Sequence, residues 1–295
     1  MLNAALWIIL ALMWSSSFAA IKVGIETIDS MPLVAGRMII GAAVMLTVLK
    51  LRGMSLAWGR KAWSDYLFTG LVGGVIPFLL ITSGEHHVDS GLAAILMGIS
   101  PVSTVLLAHY VLNDEYMTPK SLIGVGLGVS GVALLVGPDA LSELGNHVIG
   151  QVSILIAAIC YSTSTIYIKR KSTRPAMEMA AGSMLVGAVC IAVATLVIGQ
   201  PARIEMPSAQ SLIAVIYLGI FPTALATLFY FYLVPRLGAN RMSQVNFVVP
   251  IAGALIGVVL MGEALTPSTI AALAVIMVAI YLVSAKRKTA QTQRV

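Results

Sequence analysis

The side chains of this sequence that could do chemistry lie inside long apolar runs. Trp14, Ser17, Phe78, Met97, Tyr161, Ser164, Phe229, Tyr230, Gln244 and Asn246 are all placed this way. Aromatic and Met walls with a few hydroxyls and amides suit binding of a molecule with a large apolar part and a small polar end. A ring stacked on such a wall gains roughly 0.5–1.5 kcal/mol beyond its area burial. Each residue taken singly also suits helix packing or an interfacial aromatic belt. Gln244 and Asn246 make a stronger case, since an amide at membrane depth needs a partner, although an interhelical hydrogen bond supplies one.

Charged groups are scarce in the runs. Arg37 lies about 9 Å inside one end of its run at 1.5 Å per residue and reads as a snorkelling interface residue, a carboxylate anchor or a gate. Lys22 closes the first run and is a second candidate for such a role. No Asp or Glu falls clearly in the middle of a run, so a buried proton relay has no evident carrier. Glu85, His86, His87 and Asp89 cluster between runs. Adjacent histidines rarely converge on one ion, so a solvated loop is expected there and no metal site. A site for phosphates or nucleotide sugars should hold Lys or Arg near the middle of the runs at about 89–111 and 239–260, which have none there.

The catalytic alternatives fare poorly. H-E-x-x-H, G-x-S-x-G and P-loop motifs are absent. Cys160 and Cys190 sit within runs as small apolar residues, without metal or redox spacing. Neither an enzyme nor a cofactor is expected.

The elements that must position these residues follow from composition. Hydrophobic residues are 59% of the chain and charged residues 10%, far from the roughly 45–50% and about 25% of soluble proteins. Runs of about 17–25 apolar residues match the length needed to cross roughly 30 Å of hydrocarbon. Lipid offers no partner to backbone polar groups, so each run is a helix or a barrel strand; none alternates with period two, and an all-α membrane protein follows. Ten spans are read at about 4–22, 31–50, 65–83, 89–111, 120–137, 149–168, 177–199, 209–233, 239–260 and 267–284. The first run has no Lys or Arg before it and does not read as a cleavable signal.

The sequence also repeats itself. Pro101 and Pro250 are 149 residues apart; Glu115 and Glu263, and Thr118-Pro119 and Thr266-Pro267, are 148 apart. Trp14 to Lys22 falls on Tyr161 to Lys169 at 147, about half of 295. The reading is a first five-helix repeat over 1–137, an outer connection over 138–148, a second repeat over 149–284 and a basic tail over 285–295. Five spans per repeat invert the second copy, the architecture expected of a carrier that works by alternating access.

At this point the chain resembles a family. The Gly-x-x-Ala and Ser-x-Gly entries to the fourth and ninth spans, the proline within each and the G/D-E-x-x-T-P exit are similar to the drug/metabolite transporter superfamily. The likeness is to its EamA-type ten-helix carriers, and Trp14 to Phe18 and Arg37 also match. Within it the chain looks most like the YddG-type exporters of aromatic amino acids. The resemblance implies an inner-membrane carrier exporting small, largely apolar amino acids (aromatic ones, with methionine or threonine as further candidates) or related metabolites. Export of hydrophobic cations through the same cavity is the alternative, and a channel a more distant one. The partners expected are the small-molecule substrate and the bilayer, with no nucleic acid, in a monomer or weak homodimer.

Two placements complete the expectation. Spans five and ten, rich in Gly and Ala, belong to packing or a dimer seam outside a central cavity. Pro101 and Pro250 each remove a helical hydrogen bond and should bend their helices.

The orientation is testable. With the N-terminus inside, the inner loops and tail hold fifteen of the eighteen Lys and Arg, leaving Lys22, Arg37 and Arg203, so both termini are expected in the cytoplasm. Cysteines in the 84–88 and 140–147 loops should then react with an impermeant thiol reagent in intact cells. Those at 55–60 and 171–174 should react only after permeabilisation; the reverse pattern inverts the topology.

Overall fold

Without water, a backbone N–H or C=O in hydrocarbon must bond within its own segment, and the apolar runs are accordingly helical. The computed structural model describes residues 2–111, 117–136, 146–171, 174–198, 206–230, 232–233, 236 and 245–284, with no strand among them. In chain order the helices are α1 (Leu2–Gly24), α2 (Ser30–Leu51), α3 (Arg60–Gly84), α4 (Ser90–Val111) and α5 (Pro119–Val136). They continue with α6 (Asn146–Lys171), α7 (Ala176–Ile198), α8 (Ala209–Tyr230), α9 (Val245–Met261) and α10 (Pro267–Ser284). Among the described residues seven helices are long and apolar enough to cross a membrane: α1 to α4 and α6 to α8. Shorter apolar stretches lie at Pro119–Leu134, Val248–Met261 and Pro267–Val283. Of the sequence-read boundaries, that of α3 moves most: it starts at Arg60, five residues before the expected 65. The expected start of the ninth span at 239 lies outside the described residues.

The helices of the first half pack mainly on those of the second. Helix α1 lies against α8 and α9, and α6 against α3 and α4. Helix α2 packs on α7 and α8, while α3 packs on α7 and α6. Helix α4 meets α9, and α5 meets α10. The α5–α10 pair sits to one side, its other main contacts being with α4 and α9.

Prolines reshape the helices, in ways that differ from the simple expectation. Helix α4 breaks into Ser90–Met97 and Ser100–Val111 just before Pro101. At the break Gly98 N bonds Ile95 O at 2.9 Å and Ile99 N bonds Leu96 O at 3.1 Å, a tighter i to i−3 pattern. Pro250 behaves differently, for α9 continues through it unbroken from Val245 to Met261. Pro250 removes one hydrogen bond inside α9, yet the helix keeps its course as a single element on both sides of it.

The sequence reading missed two wider turns. Helix α3 contains a π-turn at Leu71–Val75 and α8 one at Gly219–Leu225. Ile76 N reaches back five residues to Leu71 O, and Ala226 N to Phe221 O. Pro77 and Pro222 lack the N–H that would continue the ordinary ladder, and the π-turn passes the hydrogen bonding around them.

Helix α5 meets α10 through glycine. A Cβ on Gly124 would stand 3.0 Å from Ala279 O and 2.8 Å from Val283 Cγ1, whereas one on Gly126 would meet nothing within 4 Å. Gly124→Leu should therefore cost about 1–3 kcal/mol by overpacking. Gly126→Leu should change stability by no more than about 0.5 kcal/mol. Thermal unfolding of the purified variants in detergent measures both.

Candidate functional site

The one arginine of α2 is the centre of the site. Arg37 is 3% exposed, because it shares the buried face of α2 with Leu33, Val34, Met38 and Gly41. A buried guanidinium must be met by acceptors or a ring face. Here Nε and Nη2 donate to Thr223 Oγ1 at 3.2 and 3.0 Å, and the guanidinium carbon lies 3.9 Å from the Phe78 ring centroid. Phe78 meets Tyr161 edge-on at 6.4 Å. The snorkelling reading of Arg37 is corrected: its head points into the bundle.

Two local features put these groups together. Thr223 belongs to the π-turn of α8, and Phe78 follows Pro77 just after the π-turn of α3. Close approach of α2 to α8 does the rest, since a Cβ on Gly41 would stand 2.9 Å from Thr223 Cγ2 and one on Gly219 3.0 Å from Arg37 O. Larger residues at either glycine would push Thr223 out of Arg37's reach.

The other site residues read from sequence form a second group or lie elsewhere. Trp14 and Tyr230 have ring centroids 6.0 Å apart, and Phe229 packs in the same cluster as Trp14; Tyr230 is 37% exposed. Ser17 bonds its own helix at Trp14 O, 2.6 Å away. Ser164 is buried where α6 faces Gly73 of the α3 π-turn. Met97, at the α4 break, packs against the cluster that contains Tyr161. Gln244 and the side chain of Asn246 lie outside the described residues. A concavity of about 550 Å³ between α3 and α7 and one of about 180 Å³ between α3, α4 and α6 both miss Arg37, Phe78 and Tyr161.

At the end of the bundle where α1 finishes, the loop expected to be solvated is so at His86 and Asp89, but not at Glu85. Glu85, in the turn after α3, is 0% exposed. Lys22 Nζ donates to the backbone oxygens of Glu85 and Val88 at 2.7 and 2.8 Å, tying α1 to this turn. Burial pushes the Glu85 carboxyl well above the ordinary carboxylate range; Lys22 opposes this, Glu263 adds to it and Arg37 opposes it. Glu263 itself caps α4 from beyond α9, accepting from Ser90 N and Gly91 N at 2.7 Å each. Gly262 makes this possible: with φ +68 it turns the chain after α9, a conformation that favours glycine. Among the described residues no group of three metal-ligating side chains converges.

Sequence reasoning missed a network at the opposite end. Tyr66 donates to Glu178 Oε1, as does Arg174 at 3.1 Å. Tyr167 donates to Asp65 Oδ1 at 2.9 Å, and Arg174 Nε lies 3.8 Å from Asp65 Oδ2. Both carboxylates are buried. The available signal was an acidic residue at the start of two apolar runs beside the basic 169–174 segment.

Comparison with known proteins places this geometry. The model of the EamA-like transporter family matches residues 2–137 and 148–285. The uncharacterized inner membrane transporter YedA of Escherichia coli K12 is 26% identical over 93% of this chain and 88% of its own length. The uncharacterized transporter YoaV of Bacillus subtilis is 22% identical over 86% and 87%, and the protein PagO of Salmonella typhimurium 22% identical over 98% and 95%. A solved crystal structure superposes with a TM-score of 0.69 over 95% of this chain and 96% of its own, at 21% identity, a likeness of fold alone.

The Thr223 hydroxyl is the only side-chain acceptor bonded to Arg37 among the described residues. Thr223→Val keeps the shape and removes the acceptor, which should cost about 1–3 kcal/mol for a buried donor left unpaired. Thr223→Ser should stay near the wild type. Melting temperatures in detergent decide between them.

Proposed function

Since the chain belongs to the EamA-like transporter family, within the drug/metabolite transporter superfamily, and is a multi-pass transporter of the inner membrane, we propose that it exports small, largely apolar amino acids, aromatic ones first. The observation that carries this reading is the buried group of Arg37, Phe78 and Tyr161. A guanidinium binds a carboxylate through two parallel N–H bonds, and the rings beside it offer an apolar wall to the rest of the molecule. A substrate carboxylate would take over donors now turned to Thr223. Its side chain would lie along Phe78 and Tyr161, with Trp14, Met97, Phe229 and Tyr230 extending the wall, and Ser17, Ser164, Gln244 and Asn246 as polar contacts.

Alternating access is supported by the reciprocity of the packing. The contact of α1 with α8 and α9 has its counterpart in that of α6 with α3 and α4. The two π-turns start at Leu71 and Gly219, 148 residues apart, the same offset as the sequence repeat. Ten helices in two inverted repeats, with both termini in the cytoplasm, fit this pattern. Lys22, bonded across to the α3–α4 turn, would act as a gate at one end of the bundle.

Uptake into proteoliposomes tests the substrate class directly. L-tryptophan and L-phenylalanine should be taken up with saturation and counterflow, and methionine and threonine more weakly. Arg37→Ala should lower tryptophan transport about 10-fold or more, the worth of charge-assisted hydrogen bonds at roughly 1.5–3 kcal/mol. Tyr161→Ala should weaken tryptophan transport more than threonine transport. Uptake of tetraphenylphosphonium in place of amino acids would mark an exporter of hydrophobic cations, and flux without saturation a channel; either outcome sinks the proposal.

A further inference from the structure

The turn sealed beneath Lys22 contains a carboxylate that the site described above does not use. Both Glu85 oxygens are buried and have no hydrogen-bond partner among the described residues. Thr82, one helical turn earlier, and Gln151, at the start of α6, each bury an oxygen in the same condition. The seal is a backbone contact between glycines: a Cβ on Gly84 would stand 2.9 Å from Gly150 O, and one on Gly150 2.8 Å from Gly84 O. Nothing larger than glycine fits on either side, so α6 lies directly over the turn. No space remains for an organic ligand at the carboxylate.

The donor and acceptor count points to the missing group. An ionised carboxylate only accepts, and so does an amide oxygen. The oxygens of Glu85 and Gln151 are therefore acceptors to which no donor among the described residues is bonded, while the Thr82 hydroxyl can donate or accept. The charged groups that bear on Glu85 are Lys22 from α1, Arg37 from α2 and Glu263 from beyond α9. Its own turn carries His86, His87 and Asp89, and the start of α6 carries His147. Lys22 bonds backbone oxygens and Arg37 bonds Thr223, and neither cation is bonded to the carboxylate. One proton on Glu85 removes the buried charge and supplies the absent donor in a single step.

We infer that Glu85 is a proton-binding site whose occupancy is tied to closure of this end of the bundle, so that transport is proton-coupled. This inference rests on the transporter reading above and adds the coupling ion to it. Closing the end takes one proton from water onto a Glu85 oxygen, forming an O–H bond and a neutral carboxyl. Opening parts Gly84 from Gly150 and frees Lys22. Water then reaches the carboxyl, the O–H bond breaks, and the proton passes to water while the electron pair stays on oxygen. Lower pH on the side that this end faces favours closure.

Two measurements on the full chain in proteoliposomes test this. The first needs no substrate: infrared difference spectra recorded against pH should show a protonated-carboxyl band that is missing in Glu85→Gln. The second follows L-tryptophan under an imposed pH gradient. Wild-type net flux should change with the gradient, by up to about tenfold per pH unit where the carboxyl titrates. Glu85→Gln should lose that response while keeping tryptophan exchange. An unchanged carboxyl band in Glu85→Gln, or a variant flux that follows pH as the wild type does, overturns the inference. Should Glu85→Gln fail to fold, Glu85→Asp must move the band, and an unmoved band refutes it equally. Absence of tryptophan flux at every pH counts against the amino-acid reading alone, because the spectra still decide Glu85.

Discussion

Scarcity of water inside the bundle is the constraint on which the rest of this structure depends. In hydrocarbon each backbone polar group must find its partner within the protein, and the helices keep to that rule even where prolines break it locally. At Pro77 and Pro222 the ladder widens into a π-turn; before Pro101 it tightens at Gly98 and Ile99. These irregularities are where the residues of the candidate site gather. The α8 π-turn carries Thr223, the α3 π-turn precedes Phe78, and the α4 break follows Met97.

The same rule governs charge. A guanidinium buried alone would be prohibitively costly, so Arg37 is held between a hydroxyl and a ring. Those partners, a hydroxyl and a ring, carry no formal charge of their own. Asp65 and Glu178 share the charge of Arg174 and each accept from a tyrosine hydroxyl, which makes them structural ties. Glu263 has backbone donors at the start of α4, also a tie. Glu85 has neither arrangement, and that difference in partners separates it from the other buried carboxylates.

The two ends of the bundle are joined by different chemistry. Where the turn after α1 meets the start of α8, neutral groups pair: Ser208 N with Thr27 Oγ1 at 3.0 Å and Ser211 Oγ with Val23 O at 2.9 Å. Where the segment after α6 meets the start of α3, the tie is Asp65, Arg174, Glu178 and two tyrosines. Neutral hydrogen bonds are indifferent to salt and to moderate pH, whereas ion pairs weaken with both. The α3–α6 end is thus tied by ion pairs, whereas the other end combines these neutral bonds with the Lys22 ammonium on Glu85 O and Val88 O and the Glu263 carboxylate on Ser90 N and Gly91 N.

Apolar runs and an internal repeat, by themselves, determined that this is an all-helical membrane protein and which stretches are its helices. Those features depend on residue type and spacing along the chain, and hydrocarbon admits almost no other backbone solution. Family membership was legible for the same reason, through motifs that are local in sequence. What the sequence could not settle was which polar residues lose their water. Arg37 near a helix end and Glu85 in a connecting turn both looked solvent-facing by position. Only the packing of α8 on α2, and of α6 on the α3–α4 turn, decided otherwise. Those contacts join residues 186 apart in one case and glycines 84 and 150 in the other. Burial is a property of the neighbours a residue meets across the bundle, and no local pattern contains them.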